Sequence, residues 1–252
     1  MALTRLLSPL LLAMSAVLTA CGGTADPAAP AQAAGTAVTA APAAPTVPPA
    51  TATTPAPLPP TTTTAPPPVH AVTTPPWGTP FAEVGGVTLV HPADRVERIG
   101  FHQSNHEGAR ELTPLATAVN ASTLESRERL SSGRTAADVV VDPTAAIRAP
   151  VTGRVLRAGT YVLYCKHSDD YVVIEPDSHP GWEVKILHID GEQVSRGQRV
   201  EAGVTQLAPR ATPLPFESQV DELSAAKPAW PHVHIEVVDP SIPNIPSPGG
   251  GC

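Results

Sequence analysis

Between Gly22 and Trp77 the chain carries 15 of its 32 prolines and a single charged residue, Asp26. Each proline fixes φ and withdraws a backbone donor, and the Ala- and Thr-rich remainder offers too little large apolar surface to offset the entropy of ordering a core. Residues 21–77 are therefore read as a disordered tether, able to reach on the order of 170 Å if fully polyproline-like at about 3.1 Å per residue. Any folded domain must be built from Gly78 to Cys252, a length sufficient for one compact unit with its own core.

Within that stretch strand signals dominate. Short β-rich runs bounded by Gly, Pro, Asp or Ser occur at Val87–Val90, Ala137–Val141, Gly153–Leu156, Tyr171–Ile174, Glu183–Ile189, Val204–Leu207 and His232–Val238. They predict an all-β domain, a mostly antiparallel β-sandwich. One or two short helices are expected as decorations, at Gly108–Asn120 and Ser218–Ala226. The last strand is the most informative. Successive strand side chains alternate faces, so His232 and His234 share one face while Val233, Ile235 and Val237 point into a core. Two imidazoles so placed can share a metal or a substrate; the plainer alternative is a solvated strand face.

At the N-terminus Arg5 precedes an apolar run from Leu6 to Leu18, a secretory signal too short for a confident spanning helix. Its ending, Leu18-Thr19-Ala20-Cys21, resembles the bacterial lipoprotein processing site. That resemblance implies a signal peptide over residues 1–20, lipid on Cys21, and a protein exported and anchored to the cell membrane facing the cell wall. With Cys21 lipidated, Cys165 and Cys252 remain as an even pair in an oxidising compartment, where a disulfide would pin the C-terminal tail to the domain. With 16 basic against 23 acidic residues and no basic stripe, nucleic acid is excluded as a partner.

An ordered series of segments resembles the LytM/lysostaphin-type zinc metallopeptidases that cut peptidoglycan cross-links. The series runs through Ala137-Asp138-Val139-Val140, Ile147 to Val155, Tyr171 to Ile174, Lys185-Ile186-Leu187-His188-Ile189, Val194 to Val200, and Pro231-His232-Val233-His234. In that family zinc is held by a histidine, an aspartate four residues later and the second histidine of the pair, with a fourth position open for water. Carried over, Asp138 and His234 would be ligands, and His188 and His232 would act on the water and the developing oxyanion by proton transfer and hydrogen bonding. The expected cofactor is zinc, and the expected partner is peptidoglycan or its peptides. The segment from Val84 to Leu130 has no counterpart in the family. Segments around Ala149–Val155 and Gly197–Gly203 also resemble biotinyl and lipoyl carrier domains, but neither Lys166 nor Lys185 has the flanking pattern of those carriers.

The series breaks at one position. Four residues before Asp138 stands Arg134, which has no lone pair for a metal. Either another residue completes the site, the candidates being His102 with His106 in a Gly-, Ser- and Asn-rich stretch read as a loop, or the metal has been lost. Arg134 itself admits two readings. Paired with Asp138 in the place of the metal, it would make a metal-free domain that binds peptidoglycan or regulates a cell-wall hydrolase; pointed outward, it would leave the metal position to another ligand. His70, His91, His167 and His179 are read as solvated.

Overall fold

The computed structural model describes residues 68–245 apart from 130 and 225. The signal segment, Cys21, most of the tether and Cys252 lie outside the described residues.

Among the described residues fourteen strands run in chain order: β1 Pro80–Val84, β2 Val87–Val90, β3 Val96–His102, β4 Thr113–Pro114, β5 Ala121–Thr123, β6 Ala136–Val141, β7 Ile147–Arg148, β8 Gly153–Leu163, β9 His167–Pro176, β10 Glu183–Asp190, β11 Arg199–Val200, β12 Gln206–Ala208, β13 Arg210–Ala211 and β14 His232–Val238. A nine-stranded sheet has the order β11-β8-β9-β10-β14-β6-β3-β5, with β13 pairing to the end of β10; smaller sheets are β2-β1-β4 and β12-β7. Of these pairings β3–β5 is parallel and the others antiparallel.

Alternation places the core. Val233, Ile235 and Val237 of β14, Ala137, Val139 and Val141 of β6, Ile99 and Phe101 of β3, and Val184 and Ile186 of β10 all face one side of the large sheet. There they join Phe81, Val87 and Leu89 of the small sheet in a single apolar cluster. The Phe81 and Phe101 rings meet across the two layers at 6.4 Å. Burial of each such side chain is worth about 1.5–3 kcal/mol, so the period-2 pattern both selects the strands and fixes which face they hide. The opposite face of β3, β6, β14 and β10 is left to Asp138 and the histidines. A minor apolar cluster of Leu124, Val140 and Val220 covers one end of it.

The structure corrects the sequence reading in several places. Gly108–Asn120 forms no helix: it contains strand β4, and the Arg110 and Leu112 amides donate to Val237 and Arg134 carbonyls. Pro114 lacks a donor and disfavours helix at Thr113 before it, which outweighs the helix-like spacing of Leu112, Leu115 and Val119. Of Ser218–Ala226 only a 3-10 turn at Asp221–Leu223 remains. Among the described residues no helix is long and apolar enough to cross a membrane. The folded unit also begins ahead of Gly78. Thr73 bridges to Val96, His70 sits 2.7 Å from Glu97 and stacks on Trp230, and the Arg148 guanidinium lies 3.9 Å over the Trp77 ring. His91, expected to be solvated, is buried, with its Nδ1–H donating to the Thr79 carbonyl.

Candidate metal centre

Strand register assembles the site. One row across the sheet reads Gly100, Asp138, His234, Leu187, from β3 through β6 and β14 to β10; the next reads His102, Ala136, Glu236, Lys185. Asp138 and His234 are therefore direct cross-strand neighbours, and His102 lies on the diagonal from Asp138, a separation long side chains bridge. The donor atoms of His102, Asp138 and His234 all fall within 4.8 Å of one another.

His102 is not on a loop, as its neighbours in sequence suggest, but is the last residue of β3. It is buried at 5% exposure, and its Nδ1–H donates to the Gln103 carbonyl at 3.0 Å. A carbonyl can only accept, so in the neutral ring the lone pair is on Nε2. That Nε2 lies 3.0 Å from Asp138 Oδ1 in an ion-pair contact, without the geometry of a full hydrogen bond. A buried ring nitrogen without a hydrogen-bond partner, next to a carboxylate and a second imidazole, fits a cation and is otherwise costly. His234 Nδ1–H donates to the same Oδ1 at 2.9 Å. Two imidazoles and one carboxylate are the donor set of a catalytic zinc site with one position open.

The electrostatics favour positive charge at this point. Burial alone would raise the pKa of Asp138, but the neighbouring His102 and His232 rings and the hydrogen bond from His234 hold it well below the usual carboxylate range. Burial would lower His234, yet Asp138 and Glu236 outweigh it and push the ring up to about 9. Glu236 takes a hydrogen bond from the Ser104 hydroxyl and an ion pair from Lys185 at 3.1 Å, and lies 3.8 Å from His234 Nε2. Those partners overcome its desolvation and keep it ionised. His232 behaves oppositely. Burial, only partly offset by Asp138 at 3.8 Å, takes it down to about 4, so it is a neutral imidazole at physiological pH.

His188 arrives by a β-bulge. Leu187 pairs with Tyr171 and Ile189 with Asp170, so His188 is the extra residue, with φ of +62°. Strict alternation would put His188 among Val184 and Ile186 in the core. The bulge instead keeps Ile189 in the core and turns Leu187 and His188 together onto the groove face. The Thr212 amide, donating to the His188 carbonyl at 2.9 Å, holds the distortion. The His188 Nδ1–H donates to Asp169 Oδ2 at 2.6 Å. Asp169 also accepts from the Tyr161 hydroxyl at 2.6 Å and the Thr212 hydroxyl at 2.8 Å. Desolvation would raise the Asp169 pKa, but the His188 and Tyr161 hydrogen bonds prevail and lower it. The His188 ring stands 5.1 Å from His232 and 6.0 Å from His234.

All five residues thus meet on one face, on the floor of an open groove of 480 Å³. Arg134 does not join them. Its Nη2 donates to Glu111 at 2.9 Å in a pair whose side chains are 42% and 52% exposed. Because exposed pairs contribute about 0–1 kcal/mol, Arg134→Ala is expected to leave stability within about 0.5 kcal/mol and metal uptake unchanged, read by urea unfolding and zinc titration. His106 lines the groove, but its Nδ1 accepts from the Gly108 amide at 3.0 Å and takes no part in the donor cluster.

Sequence reading missed Asp169, Glu236 and Lys185. Glu236 was accessible, being two residues beyond His234 on the same strand face. Cys165 is disulfide-bonded, at the tip of the β8–β9 hairpin; the two other cysteines, Cys21 and Cys252, lie outside the described residues. No family model, no curated protein and no solved structure matches this chain.

Proposed function

We propose that the domain is a zinc-dependent peptide hydrolase acting on cell-wall peptides, carried on an exported lipoprotein anchored through Cys21. The observation that carries this reading is the cluster of His102, Asp138 and His234, open to a groove and flanked by two further histidines. When bound, zinc supplies a Lewis acid for the scissile carbonyl and brings the pKa of water near neutrality. The chain does the rest. Asp169 holds the Nδ1 proton of His188, leaving Nε2 to take a proton from the attacking water and return it to the leaving amine. His232, neutral and buried, is suited to donate a hydrogen bond to negative charge developing on the carbonyl oxygen. Strands β3, β6, β9, β10 and β14 carry these groups, which favours preorganised catalysis.

The metal-free reading, a domain that binds peptidoglycan or regulates a cell-wall hydrolase, depended on Arg134 standing in for the metal. Arg134 pairs with Glu111 instead. The test is the metal content of protein purified without chelator or affinity histidines, together with release of new amino termini from purified peptidoglycan. Near-stoichiometric zinc and cleavage, both lost in His234→Ala, are expected. Absence of zinc after incubation with it, or cleavage that persists in the variant, would overturn the reading.

A further inference from the structure

We propose that the groove beside the candidate metal centre recognises a carboxylate of its peptide ligand through Arg127 and Arg129; this rests on the hydrolase reading only for the claim that the peptide is also cleaved. Among the described residues, every acid lining the groove already faces a cationic or imidazole partner. Glu217 pairs with Lys227 at 2.5 Å, Glu236 with Lys185 at 3.1 Å, and Asp138 with the histidines. Arg127 and Arg129 line the same groove, and among the described residues neither makes direct contact with a carboxylate; the Arg129 guanidinium reaches only the Gln103 carbonyl. In a chain of net charge −7 the groove thus keeps one wall with two guanidinium groups that no carboxylate contacts directly among the described residues. Burial first, and then the neighbouring Arg127 charge, draw the Arg129 pKa below its ordinary value, against the opposing pull of Asp138 and Glu236 across the groove.

The loop that carries the arginines is held at its backbone, and Arg129 is half-buried, while the Arg127 side chain is exposed to the groove. Gln103, 8% exposed, sits next to His102, and its Oε1 accepts from the Arg127 amide at 2.8 Å, the Ser126 hydroxyl at 3.2 Å and the Arg129 amide at 3.3 Å. Its Nε2 donates to the Ser131 carbonyl at 2.9 Å. Arg129 Nη1 donates to the Gln103 carbonyl at 2.6 Å. One buried amide therefore staples the loop that carries both guanidinium groups beside the metal-binding strand. Guanidinium groups match carboxylate oxygens in bidentate fashion. Tyr161, Tyr164 and Phe216, also lining the groove, offer apolar surface for the body of a peptide.

The experiment is calorimetric titration of the full chain, solubilised in detergent, with a short synthetic stem peptide bearing free carboxylates and with its fully amidated twin. Both zinc-loaded and chelated protein are used, so that binding is read apart from turnover. The acidic peptide should bind at least about tenfold more tightly than its twin, with a preference that weakens with added salt and falls several-fold in Arg127→Gln. Arg127 is exposed, so that variant is expected to fold; Arg129→Gln, checked by its unfolding midpoint, is the second arm. Equal binding of the two peptides, or an undiminished preference in both variants, would overturn the proposal. Preference without cleavage would leave it standing and remove the hydrolase reading; cleavage without preference would do the reverse.

Discussion

Replacing His102 with alanine is expected to reduce zinc affinity by more than about 100-fold and to abolish metal-dependent peptide cleavage. The effect has a floor, since loss of partners that merely orient a ligand already costs about 10- to 100-fold. In the proposed site His102 would supply one of three donor atoms, and two protein ligands do not hold zinc tightly. The variant also removes a buried ring from the end of β3, so a melting curve must accompany the measurement. His106→Ala provides the contrast: it lies in the same groove but outside the cluster, and its zinc affinity should match that of the parent. Competition against a chromogenic chelator reads both. Unchanged affinity in His102→Ala would show that the donor set is wrong.

The second large effect is expected at Asp169. Asparagine there keeps the volume but can no longer offer both oxygens to His188, Tyr161 and Thr212, and it no longer fixes the Nδ1 proton of His188. A positioned acid–base group contributes about 10²–10⁴-fold, so kcat for peptide cleavage should fall by that order, with KM and zinc content little changed. A role confined to stability would lower the yield of folded protein and leave kcat per zinc intact. Acid unfolding gives a separate readout. The folded-state pKa of Asp169 lies below its unfolded value, so its contribution is full above the unfolded carboxylate range near about pH 4 and is lost as pH falls through the folded value. Asp169→Asn should flatten that acid limb.

Sequence made the fold legible where alternation is unbroken. Val87–Val90 and His232–Val238 are strands over those very residues, and the same alternation gave Asp138, His232 and His234 their shared face. It failed where the chain departs from period two or where a contact is long-range. His188 reaches the site only because a bulge cancels its register, and nothing local announces an extra residue there. Asp169 lies in a Ser- and Asp-rich stretch that resembles a solvated turn, yet β9 begins before it and buries it. His102 could be named as a candidate but not placed, since glycine, serine and asparagine around it gave no sign that Val96–His102 would run antiparallel beside β6. Arg134 had two readings because it stands in the turn two residues before β6, where strand alternation does not say which way a side chain points.

The Gln103 carbonyl joins two functions through one atom. It accepts both the His102 Nδ1–H and a guanidinium N–H of Arg129, so the ring that would hold a cation and the side chain that would hold an anion polarise the same oxygen. Electron density withdrawn at His102 Nε2 makes Nδ1–H a stronger donor, and a carboxylate on Arg129 redistributes the other side of that bond. Two binding equilibria sharing an element are thermodynamically reciprocal. Whatever factor metal occupancy contributes to holding an acidic peptide, the peptide must return to holding the metal.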